Sequence, residues 1–220
     1  MECQVVEGSP VAARLAELGL SPEILRTALQ DADAEARQYT AMDPPGAAGL
    51  ARYFRTVRRL REQLAPAGWT YDNPRNLCRT ISPDGRIAII TALGTEATGD
   101  PTGRPTTRYE KGIATVDVVN RNFLEQTLFD LDDPELGAEP DPTTLATWVL
   151  LYYVTDTEIR AELSLPDSMV DGHIDTWLER IILPPIPLAS TPDPHLVPVP
   201  LQSETIDQDD IEVIVTRRSS

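Results

Sequence analysis

Apolar positions in the first third of the chain recur at helical spacing. Val11, Leu15 and Leu18 share one face after Ser9-Pro10, a pair suited to opening a helix, and Gly19 is placed to stop it. Ser21-Pro22-Glu23 repeats the start signal. Leu25, Ala28, Leu29, Ala32 and Ala36 then predict a second helix to about Tyr39. Asp43-Pro44-Pro45-Gly46 breaks the pattern. From Ala47 to Leu64 the apolar stripe Leu50, Tyr53, Phe54, Val57, Leu60 and Leu64 predicts a third helix, with Arg52, Arg55 and Arg59 opposite and Arg58 and Arg61 on the flank.

Beyond Gly68 the period changes. Leu77–Ser82 and Arg86–Leu93 read as strands around the turn Ser82-Pro83-Asp84-Gly85. A polar loop spans Ala97–Tyr109. Residues 112–122 fit either a strand or a short helix. Leu131–Pro142 reads as an acidic linker. Thr147–Val154 and Glu158–Leu165 predict a second hairpin, in which Ile159, Ala161, Leu163 and Leu165 alternate with Glu158, Arg160, Glu162 and Ser164 as in a strand buried on one side. Asp171–Leu183, with Ile174, Trp177, Leu178, Ile181 and Ile182, reads as a last helix.

The expected fold class is therefore α+β: N-terminal helices, antiparallel hairpins forming a small sheet, a C-terminal helix and an extended proline-rich tail. The domain is expected over residues 9–183, helical to 65 and sheet-containing from 69, with a tail over 184–220. Seven of the 17 residues from Pro184 to Pro200 are proline, which favours extended conformations. Residues 204–212 are acidic. Ile211, Val213 and Val215 form a β-prone segment expected to add a strand to this sheet's edge or a partner's.

Composition adds compartment and charge. No run of about 18 apolar residues exists, so no membrane helix is expected. The start Met1-Glu2-Cys3-Gln4 lacks a secretory signal's pattern. Two distant cysteines, Cys3 and Cys78, do not suggest a disulfide framework, and Cys78 reads as a small buried hydrophobe. A cytoplasmic location is the expectation. The net charge of −16 is segregated: residues 51–111 carry 11 basic and 6 acidic side chains, whereas residues 112–220 carry 5 basic and 21 acidic. Such asymmetry marks a binding face or internal pairing of the two stretches.

Catalytic chemistry is sparse. His173 and His195 are the only histidines and have no ligand-spaced neighbours, so no zinc site is expected. Nucleophile elbow, phosphate loop and dinucleotide fingerprint are missing, and no cofactor is expected. A metal-dependent nuclease would have to draw on Asp84, Glu96, Asp156 and Glu158. The acidic run Asp130, Asp132, Asp133 and Glu135 lacks a calcium-loop ladder and reads as solvated linker. The turn over Ala16–Ser21 approaches that of a DNA-binding helix-turn-helix, but the acidic helix after it has the wrong sign for phosphate.

The stretch most suggestive of function is 52–86. Arg52, Arg55, Arg58, Arg59 and Arg61 precede Trp69, Tyr71, Arg75 and Arg79, with Asn73 and Asn76 among them. Arginine neutralises phosphate, aromatics stack on unpaired bases, and Asn reads base edges. The other reading makes Trp69 and Tyr71 core residues and pairs the arginines with the acidic C-terminal half. The expected function is a non-enzymatic accessory protein binding nucleic acid or a nucleic-acid-processing partner. An acidic DNA mimic and an unusual nuclease are the alternatives.

The run GWTYDNPRNLCRTISPDGRIAIITALGTEATG, followed by RYEKGIATV, resembles a family of uncharacterised bacterial proteins found near mobile elements and restriction-like or phage-defence genes. The resemblance covers about residues 11–125. It implies a phage-defence or mobile-element setting and carries no catalytic residues.

Overall fold

The computed structural model describes residues 3–112, 114–120, 122 and 145–188. All belong to the first of two units, Met1–Ala189. The elements are β1 (Gln4–Val6), α1 (Pro10–Glu17), α2 (Pro22–Ala36), α3 (Ala47–Leu64), β2 (Thr70–Asp72), β3 (Arg79–Ile81), β4 (Ile87–Leu93), a helical segment α4 over residues 114–120, β5 (Ala146–Val154), β6 (Glu158–Val170), β7 (His173–Ile182) and β8 (Ile186–Pro187).

Local rules account for the first helices. In α1, Val11 and Leu15 are buried, and Gly19 exits at φ 70. In α2, the Ser21 hydroxyl accepts the Ile24 N–H at 3.4 Å, and Leu25, Ala28, Leu29, Ala32 and Ala36 are buried. Each fully buried leucine contributes roughly 1.5–3 kcal/mol relative to exposure. α3 departs from its expected stripe. Val57, Leu60 and Leu64 are buried as expected, but so are Ala51 and Thr56, while Leu50 and Phe54 face solvent.

The strands form one mixed sheet in the order β1-β7-β6-β5-β4-β3-β2, with β8 also paired to β6. The β3–β4 and β5–β6 pairs are antiparallel, but β4 and β5 run parallel and join them. β1 is parallel to β7. One face carries Ile89, Leu150, Tyr152, Leu163 and Ile181 beneath α1, α2 and α3. The other carries Ile90, Val149, Leu151, Ile174 and Trp177, with Val119 of α4.

The α+β expectation is thereby corrected. The sheet is neither small nor antiparallel throughout, and residues 171–183 do not form a C-terminal helix. They turn at Asp171-Gly172, both at positive φ (49 and 79), and continue as β7. Asp-Gly favours such two-residue hairpin turns. Ile174 and Trp177, three residues apart, share one sheet face because β6 and β7 slip register between Leu165 and Met169, around Pro166, whereas Ile181 lies on the opposite face. With slips in the alternation and both faces buried, apolar residues fall three or four apart and imitate a helix.

β6 was also expected to be wet on its polar side. Glu162 and Ser164 are instead fully buried. The loop after β4, expected to be solvated, lies over them. Arg180 of β7 meets Glu162 through two hydrogen bonds, Nε to Oε1 at 3.0 Å and Nη2 to Oε2 at 2.6 Å. It also donates to the carbonyls of Gly103 (2.8 Å) and Asp100 (3.0 Å). Glu162 further accepts from Ser164 Oγ (2.9 Å) and from the Gly99 N–H (3.0 Å). The Trp177 indole donates to Pro105 O at 2.8 Å, and Thr107 and Ile174 exchange bonds.

Glu162→Ala is expected to cost about 3–5 kcal/mol in urea denaturation, because it strands a buried guanidinium. Replacing both partners together (Glu162→Leu with Arg180→Met) should cost less than Glu162→Ala alone. At Gly94, a Cβ would stand 2.1 Å from Thr98 Oγ1 and 2.8 Å from Leu151 Cγ. Gly94→Ala should lower stability by about 1–3 kcal/mol, and Thr98→Ala in the same chain should recover part of that loss.

Candidate functional site

The sequence-predicted arginines separate into two groups. Arg52 donates to Asp33 Oδ1 at 2.8 Å, and Asp33, buried in α2, also accepts from Arg37 at 2.5 Å. Arg55 reaches Glu35 at 3.2 Å, and Arg59 reaches Asp31 at 2.6 Å and Glu62 at 2.9 Å. These three arginines of α3 are therefore matched by acids of α2, rather than by the C-terminal half. Arg79 forms a two-point pair with Asp72, whose carboxyl is thereby held below its usual range.

Arg58, Arg61 and Arg75 behave differently. Arg58 pairs with Glu62 at 2.7 Å and Arg75 with Asp117 at 2.7 Å, but both side chains remain about two-thirds exposed. Such surface pairs hold weakly and exchange readily for other anions. Among the described residues, Arg61 has no carboxylate within ion-pair distance. Its Nη2 donates to Asn73 Oδ1 at 2.8 Å, and its guanidinium lies 4.4 Å from the ring centroid of Tyr71.

Tyr71 and Phe54 are each 62% exposed, so neither belongs to the core. Trp69 does, at 6% exposure, with its ring against Gly19. Phe54, Val57, Arg58, Arg61, Glu62, Ala65, Tyr71 and Cys78 line a groove of about 500 Å³ between α3 and β2. Cys78 is half-buried at the groove wall rather than enclosed. Tyr53 leads out of the groove, its ring 5.6 Å from that of Phe54. Burial and the Cys78 thiol push its hydroxyl up to about 12, so it stays a donor at neutral pH.

Of the face the sequence suggested (Arg52, Arg55, Arg58, Arg59, Arg61, Trp69, Tyr71, Arg75 and Arg79), Arg58, Arg61 and Tyr71 line this groove. The sequence missed Phe54, which helical spacing assigned to the core.

The carboxylates considered for a nuclease do not converge. Asp84 sits in the β3–β4 turn, bound by Ser82 and Arg86, which hold its carboxyl down to about 2. Glu96 follows the far end of β4, whose seven residues span roughly 23 Å. Asp156 and Glu158 lie at the β5–β6 turn, where Glu158 pairs with Arg160 at 3.6 Å. Among the described residues no group of three or more His, Cys, Asp or Glu is placed to hold a metal. Ile211, Val213 and Val215, the acidic runs and His195 lie outside the described residues, as does most of the acidic C-terminal half on which the DNA-mimic reading rests. No described helix is long and apolar enough to cross a membrane. A comparison with protein-family models, curated proteins and solved structures finds no match.

Proposed function

We propose that the protein acts by binding, not by catalysis, and that the groove between α3 and β2 takes single-stranded nucleic acid. The observation that carries this reading is the stack of Arg61 on the exposed ring of Tyr71, beside exposed Phe54. Two solvent-facing aromatics can each take the face of an unpaired base, and a stacked guanidinium adds a cation that needs no sequence-specific geometry. Arg58 and Arg75 supply further phosphate contacts. The arginines tied to α2 are structural in this reading, so the electrostatic contribution is small for a nucleic-acid binder. A cytoplasmic phage-defence or mobile-element setting, implied by the sequence resemblance, belongs to the same proposal.

Fluorescence anisotropy with labelled single- and double-stranded DNA and RNA tests it. Single strands should bind best. With three phosphate contacts, log K should fall against log salt with a slope of about −2. Tyr71→Ala should weaken binding by about 5- to 100-fold, the loss of one stacked base. If none of the four nucleic acids binds at low salt, the reading is wrong.

A further inference from the structure

A second cleft opens on the opposite end of α3. It has a volume of about 350 Å³ and lies between the N-terminus of that helix and the carboxyl end of β4. β4 and β5 are parallel, and their pairing ends there at Leu93 and Tyr152. Carboxyl ends of parallel strands are where open sheets leave room for ligands.

The chemistry of the wall has one sign. Among the described residues, the lining includes Arg52, Lys111, Tyr53, Tyr109, Tyr152, Thr91 and the glycines Gly46 and Gly49, with no Asp or Glu. Helix α3 is 18 residues long, and its N-cap is Gly46 at φ 84. It has no side-chain cap and no acidic residue in its first turn. The Ala47 N–H donates to Pro44 O at 3.1 Å, and the positive end of the dipole is unneutralised by any acidic side chain of the helix's own first turn. Gly46 and Gly49 place no side chain over that end, and a Cβ at either would meet open space.

Independent groups point at the same space. Thr91 is 92% buried, being 8% exposed, and its hydroxyl has no hydrogen-bond partner. Strand alternation puts it on the same sheet face as Ile89, beneath α3. Tyr152 is 3% exposed, and its hydroxyl makes no hydrogen bond among the described residues. Arg52 gives one nitrogen to Asp33, but its buried Nε is unpartnered. Lys111, the only lysine in the chain, has no ion-pair partner among the described residues. It is held in place through its backbone N–H to Gly172 O at 2.7 Å. Burial lowers the pKa of its ammonium. Among the described residues, the Thr91 hydroxyl and the Arg52 Nε are the buried polar atoms without a partner at this cleft, a condition few buried polar groups show.

We infer that this cleft is a phosphate-binding site. The donors comprise a helix N-terminus, a guanidinium nitrogen, an ammonium and two hydroxyls, more than the two oxygens of a carboxylate can use. They suit the three terminal oxygens of a phosphomonoester. Tyr109 and Leu50, both exposed at the cleft, offer the phosphate's organic substituent a flat apolar rest, which fits a nucleobase-bearing monoester. That monoester can be a free mononucleotide or the phosphorylated end of a strand. The site stands apart from the nucleic-acid reading of the neighbouring groove.

Calorimetric titration of the full chain at constant ionic strength tests the assignment, with inorganic phosphate, a nucleoside 5′-monophosphate, the matching nucleoside, and one oligonucleotide with and without a 5′-phosphate. Inorganic phosphate should bind saturably, the monophosphate more tightly, and the nucleoside not at all. Lys111→Met and Thr91→Val should each weaken phosphate binding, the former by about tenfold or more. Their thermal unfolding without ligand shows whether each variant is folded, and Thr91→Val preserves side-chain shape if Lys111→Met is not. Tighter binding of the monophosphate than of the phosphorylated oligonucleotide assigns the site to a small ligand, and the reverse assigns it to a strand end. Absence of saturable phosphate binding, equal binding of nucleoside and monophosphate, or unchanged affinity in both folded variants would overturn the proposal. Inorganic phosphate cannot stack, so failure here leaves the aromatic groove to its own test.

Discussion

The buried pair of Glu162 and Arg180 is the constraint on which the rest of the structure depends. Two charges at the centre of a sheet face are tolerated only if every lone pair and proton finds a partner. Their own strands cannot supply enough partners, so the chain after β4 supplies them through the Gly99 N–H and the carbonyls of Asp100 and Gly103. That requirement fixes where residues 99–103 lie. It covers part of one face of the sheet and sets the path that brings Tyr109 and Lys111 beside α3. A polar network of this kind specifies geometry more than it adds stability.

The same logic governs the other face on a smaller scale. α3 carries five arginines, and the acids of α2 absorb three of them at the seam between the two helices. A count of charges along α3 therefore overstates its attraction for an anion. What remains available is set by position: Arg58, Arg61 and Arg75 at one end of the helix, and the helix's own N-terminus with Lys111 at the other.

Much of the helical layer was legible because its information is local. Ser21 caps α2, Gly19 ends the turn after α1, and the 3.6-residue period of α2 matches its burial. The sheet was less legible for identifiable reasons. The parallel join of β4 to β5 is a contact between distant segments that no pattern in either strand announces. β7 imitated a helix because register slips around Pro166 disturbed its alternation, although Asp171-Gly172 was a readable hairpin signal. Glu162 looked solvent-facing because its cover comes from a loop some 60 residues earlier. At the sites, Tyr71 and Arg61 could be grouped by proximity in sequence, whereas Gly46, Thr91, Lys111 and Tyr152 converge only after folding.

The pairing of β1 with β7 constrains the order of events during synthesis. Val5 sits opposite Arg180, so β1 lacks its neighbour until the chain through β7 has been made. Contacts of such large sequence separation form late and slow the search for the native state. β1 is only three residues long and lies at the sheet's edge, which limits the template it offers to other nascent chains while it waits. Closing the sheet at β1 thus waits until β7 has been made. The helices α1 to α3, whose contacts with one another are local, can form during translation and shelter part of the apolar surface until the strands arrive.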